Sequence, residues 1–361
     1  MGSLNLPTVW FAILAYLWLG YFFLEGFDFG VMILLPFLGR DDTDRRVLIN
    51  SIGPVWDGNE VWLVVAGAGT FAAFPEWYAT LFSSFYLPLL IILVALIFRA
   101  VAFEFRGKLS TPAWRVWWDR ALFFGSALPA LLWGVAFAGM LHGVPIDAHK
   151  EFAGNFFDLL SPYALLGGLV SFALFTLHGA LYLVLKTDAD MRERARRVAG
   201  RVWWPALGLT FLFLAWSFVN AVQTDVRGVV PDWVPLGALG ALVTVGWLRR
   251  LRIDFWAFLA SGASVVLLFA TIFLNLYPRV MVSSLDPNYS LTIYNASSSN
   301  YTLTVMTIVA LTIAPFVLCY EAWSYWVFRK RIRREDFEPR PVAPEQAGSP
   351  GAQEPAGVKA P

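Results

Sequence analysis

The chain has 361 residues, of which 58% are hydrophobic and only 15% charged, with a formal net charge of +1 and a mean hydropathy of +0.60. A soluble globular chain is about 25% charged, so this composition excludes an ordinary soluble domain and predicts an all-α, polytopic transmembrane bundle. The near-zero net charge gives no reason to expect a nucleic-acid partner, and Cys319, the single cysteine, excludes a disulfide within the chain.

Apolar stretches long enough to span a bilayer occur at approximately 8–38, 51–75, 76–105, 115–141, 157–185, 202–223, 233–248, 255–278 and 302–328. This gives about nine spans, of which 233–248 is the shortest. The second and third meet at Pro75-Glu76, which predicts a tight helical hairpin.

Basic residues alternate between the connecting segments. Three lie in 39–50, three in 106–115, six in 186–201, three in 249–252 and five in 329–334, whereas the other loops hold only Lys150, Arg227 and Arg279. By the positive-inside rule the N-terminus is outside and the C-terminus cytoplasmic. The membrane domain is expected over 1–334. Residues 335–361, rich in Pro, Glu, Ala and Gly, read as a disordered cytoplasmic tail.

Against this apolar background stand a few polar groups. Span one carries Glu25 and Asp28, span two opens on Gly53-Pro54-Val55-Trp56-Asp57-Gly58-Asn59-Glu60-Val61-Trp62, and span three carries Arg99. Ionisable residues inside a membrane are costly and are functional candidates by default. With span two starting near Ser51, a rise of 1.5 Å per residue puts Asp57 about 9 Å and Glu60 about 13 Å from the cytoplasmic face. The same count puts Arg99 about 9 Å, Asp28 about 15 Å and Glu25 about 20 Å deep. The acids of each pair are spaced i,i+3, on one helix face. By depth, the expected partners of Arg99 are Asp57 and Glu60.

Two readings of this cluster stay open from spacing alone. One is a proton path with Asp57 near the mouth. The other is a structural ion-pair network in which Arg99 locks three helices together. Other features read as structural. Trp114, Trp117 and Trp118 form an aromatic belt, as do Trp323, Tyr325 and Trp326, and Asp119 is an i+4 surface partner of Arg115. His178 lies within span five, and a haem-ligand role is the minor reading. Glu321 is an intramembrane acid with no assigned role.

Several of these motifs occur in order. Gly26-Phe27-Asp28-Phe29-Gly30 and Asp44-Arg45-Arg46-Val47-Leu48-Ile49-Asn50-Ser51-Ile52-Gly53-Pro54 precede Trp56-Asp57-Gly58-Asn59-Glu60-Val61-Trp62-Leu63. Phe98-Arg99-Ala100-Val101-Ala102-Phe103-Glu104-Phe105-Arg106 follows. The chain resembles subunit II of the cytochrome bd-type quinol oxidases, densely over residues 25–120.

The resemblance implies a heterodimer in the bacterial cytoplasmic membrane with a subunit I that carries two b-type haems and one haem d, with none expected on this chain. It implies quinol as the complex's substrate, oxidised on the outer side, and oxygen reduced to water with cytoplasmic protons. Asp57 matches the motif acid at the proton entrance, and Asp28 and Arg99 match further motif positions. A bound quinone, lipid contacts and a small accessory subunit are compatible with it. A proton-coupled secondary transporter is the alternative, against which the acids cluster in the first third of the chain. A purely structural subunit is a third reading.

Overall fold

A computed structural model describes residues 5–223 and 233–337. The helices are α1 (Leu6–Leu38), α2 (Asp42–Ile52), α3 (Trp56–Ala73), α4 (Pro75–Ser84), α5 (Tyr86–Phe105), α6 (Pro112–His142), α7 (Pro162–Lys186), α8 (Ala189–Gln223), α9 (Trp233–Arg250), α10 (Asp254–Leu276) and α11 (Asn300–Val327). Eight of the nine expected spans are each centred on one of α1, α3 and α6 to α11, and the third, 76–105, takes in both α4 and α5. Seven helices among the described residues are long and apolar enough to cross a membrane. α3 and α9, 18 residues each, are not among them. The first carries Asp57 and Glu60, and the second ends on Arg249 and Arg250.

Helix starts follow local chemistry. Proline occupies the first turn of α1, α4, α6 and α7, where its missing N–H is not needed and its φ is already helical. Asp41 caps α2 by accepting from the Asp44 N–H at 2.8 Å, and Ser161 caps α7 in the same way from Ala164 at 3.2 Å.

α1 and α7 form the centre. Their apolar windows are 78% and 83% buried, against 6% for α11. The two central helices cross at Gly30 and Gly179, where a Cβ on either residue would enter the other's backbone, so small residues let the helices touch. Aromatic rings fill the space towards α6 and α10. Phe22 stacks on Phe269 at 4.0 Å, and Trp18 meets Trp133 and Phe137 edge-on at 5.1 Å. At the end away from α2, a two-stranded ribbon, Arg279–Met281 with Leu291–Thr292, joins the 143–161 loop through a Ser283 hydroxyl bond to the Ile146 carbonyl at 2.7 Å.

The structure departs from the expected elements in four places. Span two does not begin at 51, because α2 ends at Ile52 and α3 begins at Trp56 after the Gly53-Pro54-Val55 break. The hairpin at Pro75-Glu76 is instead a short helix, α4, separated by Phe85 from α5. Pro88, in the first turn of α5, has no N–H to continue α4 through the Ser84 carbonyl. As a result α3 packs on α1 and α5 on α6. α8 starts well before 202, because its arginine-rich segment is a good helix former that hydropathy does not count. Finally, residues Arg334–Phe337 form a 3-10 turn against α2, so the expected domain boundary at 334 falls inside that turn. The rest of the expected tail, 338–361, lies outside the described residues.

Candidate functional site: a buried carboxyl–guanidinium network

Arg99 is fully buried and is the hub. Its Nη1 pairs with Glu25 of α1 and with Glu60 of α3, the latter at 3.2 Å. The guanidinium also lies 4.9 Å from the Phe29 ring, 5.9 Å from Trp56 and 5.8 Å from Phe103. Trp56 and Phe103 stack on each other at 4.6 Å. An aromatic box of this kind favours a planar cation over an ammonium.

Asp28 and Asn59 complete the network. Both are fully buried. The Asn59 amide donates to Asp28 Oδ2 at 2.6 Å and accepts from the Tyr325 hydroxyl at 2.6 Å. Three carboxyls, Glu25, Asp28 and Glu60, therefore lie around one guanidinium, and their protonation is a collective property of the cluster. Glu25 Oε2, Asp28 Oδ1, Arg99 Nη2 and the Tyr21 hydroxyl are buried and make no hydrogen bond among the described residues, so the cluster keeps donor and acceptor capacity.

The structure thus brings together Glu25, Asp28, Trp56, Asn59, Glu60 and Arg99. It does not bring in Asp57, which is exposed and forms no ion pair among the described residues. The expected Arg99–Asp57 pair is replaced by Arg99–Glu25. The depth count explains the error. α3 begins at Trp56, so Asp57 lies in its first turn, about 1.5 Å along the axis, while Arg99 lies about 9 Å from the end of α5. An acid in the first turn complements the helix dipole.

Beneath the network a layer of ion pairs ties α2 to its neighbours. Asp119 pairs with Arg106 at 2.5 Å and with Arg45 at 2.8 Å. Arg115 turns instead to Asp42 at 2.9 Å, so the expected Arg115–Asp119 surface pair is absent. α2 lies across the end of α6, a tertiary contact that i+4 spacing cannot report. Arg194 pairs with Asp44 at 2.8 Å. Arg334 reaches Asp41 and Asp44 at 2.8 Å each. The Arg334 hydrogen bond, with the Asp44 N–H, holds the Asp41 carboxyl below its ordinary range.

The belt residues divide. Trp117, Trp323 and Trp326 are exposed, while Trp118 is buried and Tyr325 turns inward to Asn59. Glu321 accepts from the Trp62 indole N–H at 2.8 Å. The signal for Tyr325 and Glu321 was their i,i+4 spacing on one face of α11.

His178 has both ring nitrogens engaged, Nδ1 with the Ser261 hydroxyl at 2.7 Å and Nε2 with the Phe23 carbonyl at 3.2 Å. Its ring stacks on Phe258 at 4.5 Å. His142 stacks on Tyr163. No cluster of three or more His, Cys, Asp or Glu suited to a metal ion occurs among the described residues.

Comparison with known proteins identifies the architecture. The family model for cytochrome bd terminal oxidase subunit II matches residues 6–328. The chain is 44% identical to cytochrome bd ubiquinol oxidase subunit 2 of Bacillus subtilis over 339 residues, covering 92% of this chain and 98% of that one. It is 37% identical to cytochrome bd-I ubiquinol oxidase subunit 2 of Escherichia coli K12 over 366 residues, covering 92% and 97%. The bd oxidase structure from Geobacillus thermodenitrificans shares the fold, with a TM-score of 0.72 at 20% identity over 90% of this chain and 97% of that one. The chain belongs to the cytochrome bd terminal oxidase subunit II family.

Proposed function

We propose that this chain is the second subunit of a quinol:oxygen oxidoreductase in the bacterial cytoplasmic membrane, and that it contributes a proton-uptake path opening on the cytoplasmic side. In this reading the chain crosses the membrane nine times, with its N-terminus outside and its C-terminus inside. The alternation of basic loops supports that orientation. The partner is a subunit I that holds two b-type haems and one haem d. Those groups supply the electron transfer from quinol to oxygen, and His178 of α7 has both ring nitrogens engaged within this chain.

The observation that carries the proposal is the buried set of Glu25, Asp28 and Arg99, joined by the partly covered Glu60, above the exposed Asp57. Asp57 exchanges protons with the aqueous side. Glu60, only partly covered, with 19% of its side chain exposed, is the next carboxyl inward. Arg99 holds Glu60 and Glu25 in place, and Asn59 holds Asp28. Oxygen reduction to water consumes protons, and a path from the cytoplasmic side would make it electrogenic by sidedness alone.

A purely structural role for the cluster is the second reading, favoured by the way Arg99 ties α1, α3 and α5 together. The visible spectrum of the purified complex, with and without this chain, tests the assignment. The chain expressed alone should bind no haem stoichiometrically. A tightly bound haem lost in His178→Ala would overturn it.

A further inference from the structure

We propose that Tyr325 and Asn59 act as a positioning pair that fixes which oxygen of Asp28 exchanges its proton. The inference rests on the proton-path reading and adds to it a residue from the last helix.

α11 lies mostly outside the bundle, with only 6% of its apolar window buried, yet Tyr325 reaches inward. Its hydroxyl donates to Asn59 Oδ1 at 2.6 Å. An asparagine side chain has one accepting end and one donating end. With Oδ1 taken by the tyrosine, the NH2 must face Asp28, and it does so at 2.6 Å from Oδ2. An NH2 can only donate, so Oδ2 remains an acceptor whether Asp28 is charged or protonated.

A proton on Asp28 must therefore reside on Oδ1, the buried oxygen with no hydrogen bond among the described residues. The amide itself neither takes up nor releases a proton near neutral pH, so Tyr325–Asn59 is not a branch of the path. It is a latch that leaves one oxygen for exchange. The titratable or charged groups acting on Asp28 are Glu25 on its own helix, Glu60 of α3, Arg99 of α5, Tyr182 of α7 and Tyr325 of α11. Of these, Tyr325 alone acts through Asn59.

Tyr325→Phe removes only the hydroxyl. In membranes holding the assembled complex, oxygen uptake should then shift its pH profile by about one unit towards alkaline pH, the scale of a single hydrogen bond to a charged group. The direction follows because a freed amide can turn its oxygen to Asp28 and favour the protonated carboxyl. Asn59→Gln, which keeps an amide between the two partners, should recover part of the wild-type profile, whereas Asn59→Ala should not.

Infrared difference spectra read the same geometry without a Tyr325 variant. The protonated carboxyl band that disappears in Asp28→Asn should sit, in wild type, at the frequency of a hydrogen-bonded C=O. A band at the free C=O frequency, or no band lost in Asp28→Asn, would overturn the proposal. If Asp28→Asn slows turnover while Tyr325→Phe leaves the pH profile unmoved, the positioning role fails alone. If Asp28→Asn keeps wild-type turnover and profile, the proton-path reading fails and this role with it.

Discussion

Trp62 of α3 donates its indole N–H to Glu321 of α11 over 2.8 Å. The two side chains close one wall of a groove of about 400 Å³ between α1, α3, α10 and α11, lined also by Tyr16, Phe23 and Tyr325. Few polar contacts hold α11 to the bundle. At its other end the Trp10 indole donates to the Leu303 carbonyl at 3.0 Å, so each end is fixed by a tryptophan.

Trp62→Phe should therefore loosen the inner end of α11. It removes the hydrogen bond Glu321 receives, and an unsatisfied buried acceptor costs about 1–3 kcal/mol. The thermal midpoint of the purified complex should fall. Glu321→Gln keeps an acceptor for the indole and should assemble at close to wild-type yield. A Glu321→Gln loss equal to that of Trp62→Phe would mean that the charge, not the hydrogen bond, matters.

Arg99 is the most sensitive position for assembly. Arg99→Leu leaves Glu25 and Glu60 without their cation, and breaking a buried pair from one side costs about 3–5 kcal/mol. The amount of the chain found in membranes should drop several-fold. Arg99→Lys keeps the charge but loses the planar contacts with Phe29, Trp56 and Phe103, so it should restore yield only in part. Wild-type yield and turnover in Arg99→Leu would remove the network from any role in folding.

The bundle was legible in the sequence because membrane spans are long, apolar and punctuated by basic loops. The clustering of Glu25, Asp28, Asn59, Glu60 and Arg99 was legible as well, since each is a polar group in a span. What the sequence hid were tertiary relationships. Hydropathy does not register α2, an 11-residue polar helix, so the count from Ser51 placed Asp57 too deep and paired it with Arg99. The Asp42–Arg115 and Arg45–Asp119 pairs depend on α2 lying across α6. Tyr325 read as a belt residue because only the packing of α11 against α3 turns it towards Asn59.

The C-terminal turn should respond to acid. Arg334 holds the Asp41 carboxyl below its ordinary range. A carboxylate depressed in the folded state contributes stability above its unfolded value, and that contribution is lost as pH falls through its folded value. The Arg334–Asp41 contact should therefore be complete at neutral pH and lost below about pH 4. Because both partners are about half exposed, it is worth only about 0–1 kcal/mol. Hydrogen exchange over residues 328–337, corrected for the intrinsic pH dependence, should rise on acidification. Asp41→Asn should raise it already at pH 7. Equal exchange in that variant would show that the contact contributes nothing.

Orientation is open to a direct measurement. The basic-loop count predicts that reporter fusions at Arg334 and Ser298 give opposite sidedness. These residues flank α11, so they lie at its two ends. The same sidedness at both would mean that α11 does not cross the membrane.

Asp57 is the sharpest test of the proton path. It is exposed in the first turn of α3 and makes no ion pair among the described residues, so Asp57→Asn should leave assembly and the haem spectrum of the complex intact. Asparagine keeps the shape but cannot release and regain a proton near neutral pH. Oxygen uptake per assembled complex should then fall by about 10-fold or more, as for loss of a positioned proton-transfer group. Asp57→Glu returns a carboxyl about one methylene further out and should recover part of the rate. Structural importance predicts the reverse order, with Asn tolerated and the longer Glu disturbing the turn. Turnover equal to wild type in Asp57→Asn from about pH 6 to about pH 9, the range over which a neutral-pH relay must act, would remove Asp57 from any rate-limiting proton step and leave Glu60 as the outermost carboxyl of the path.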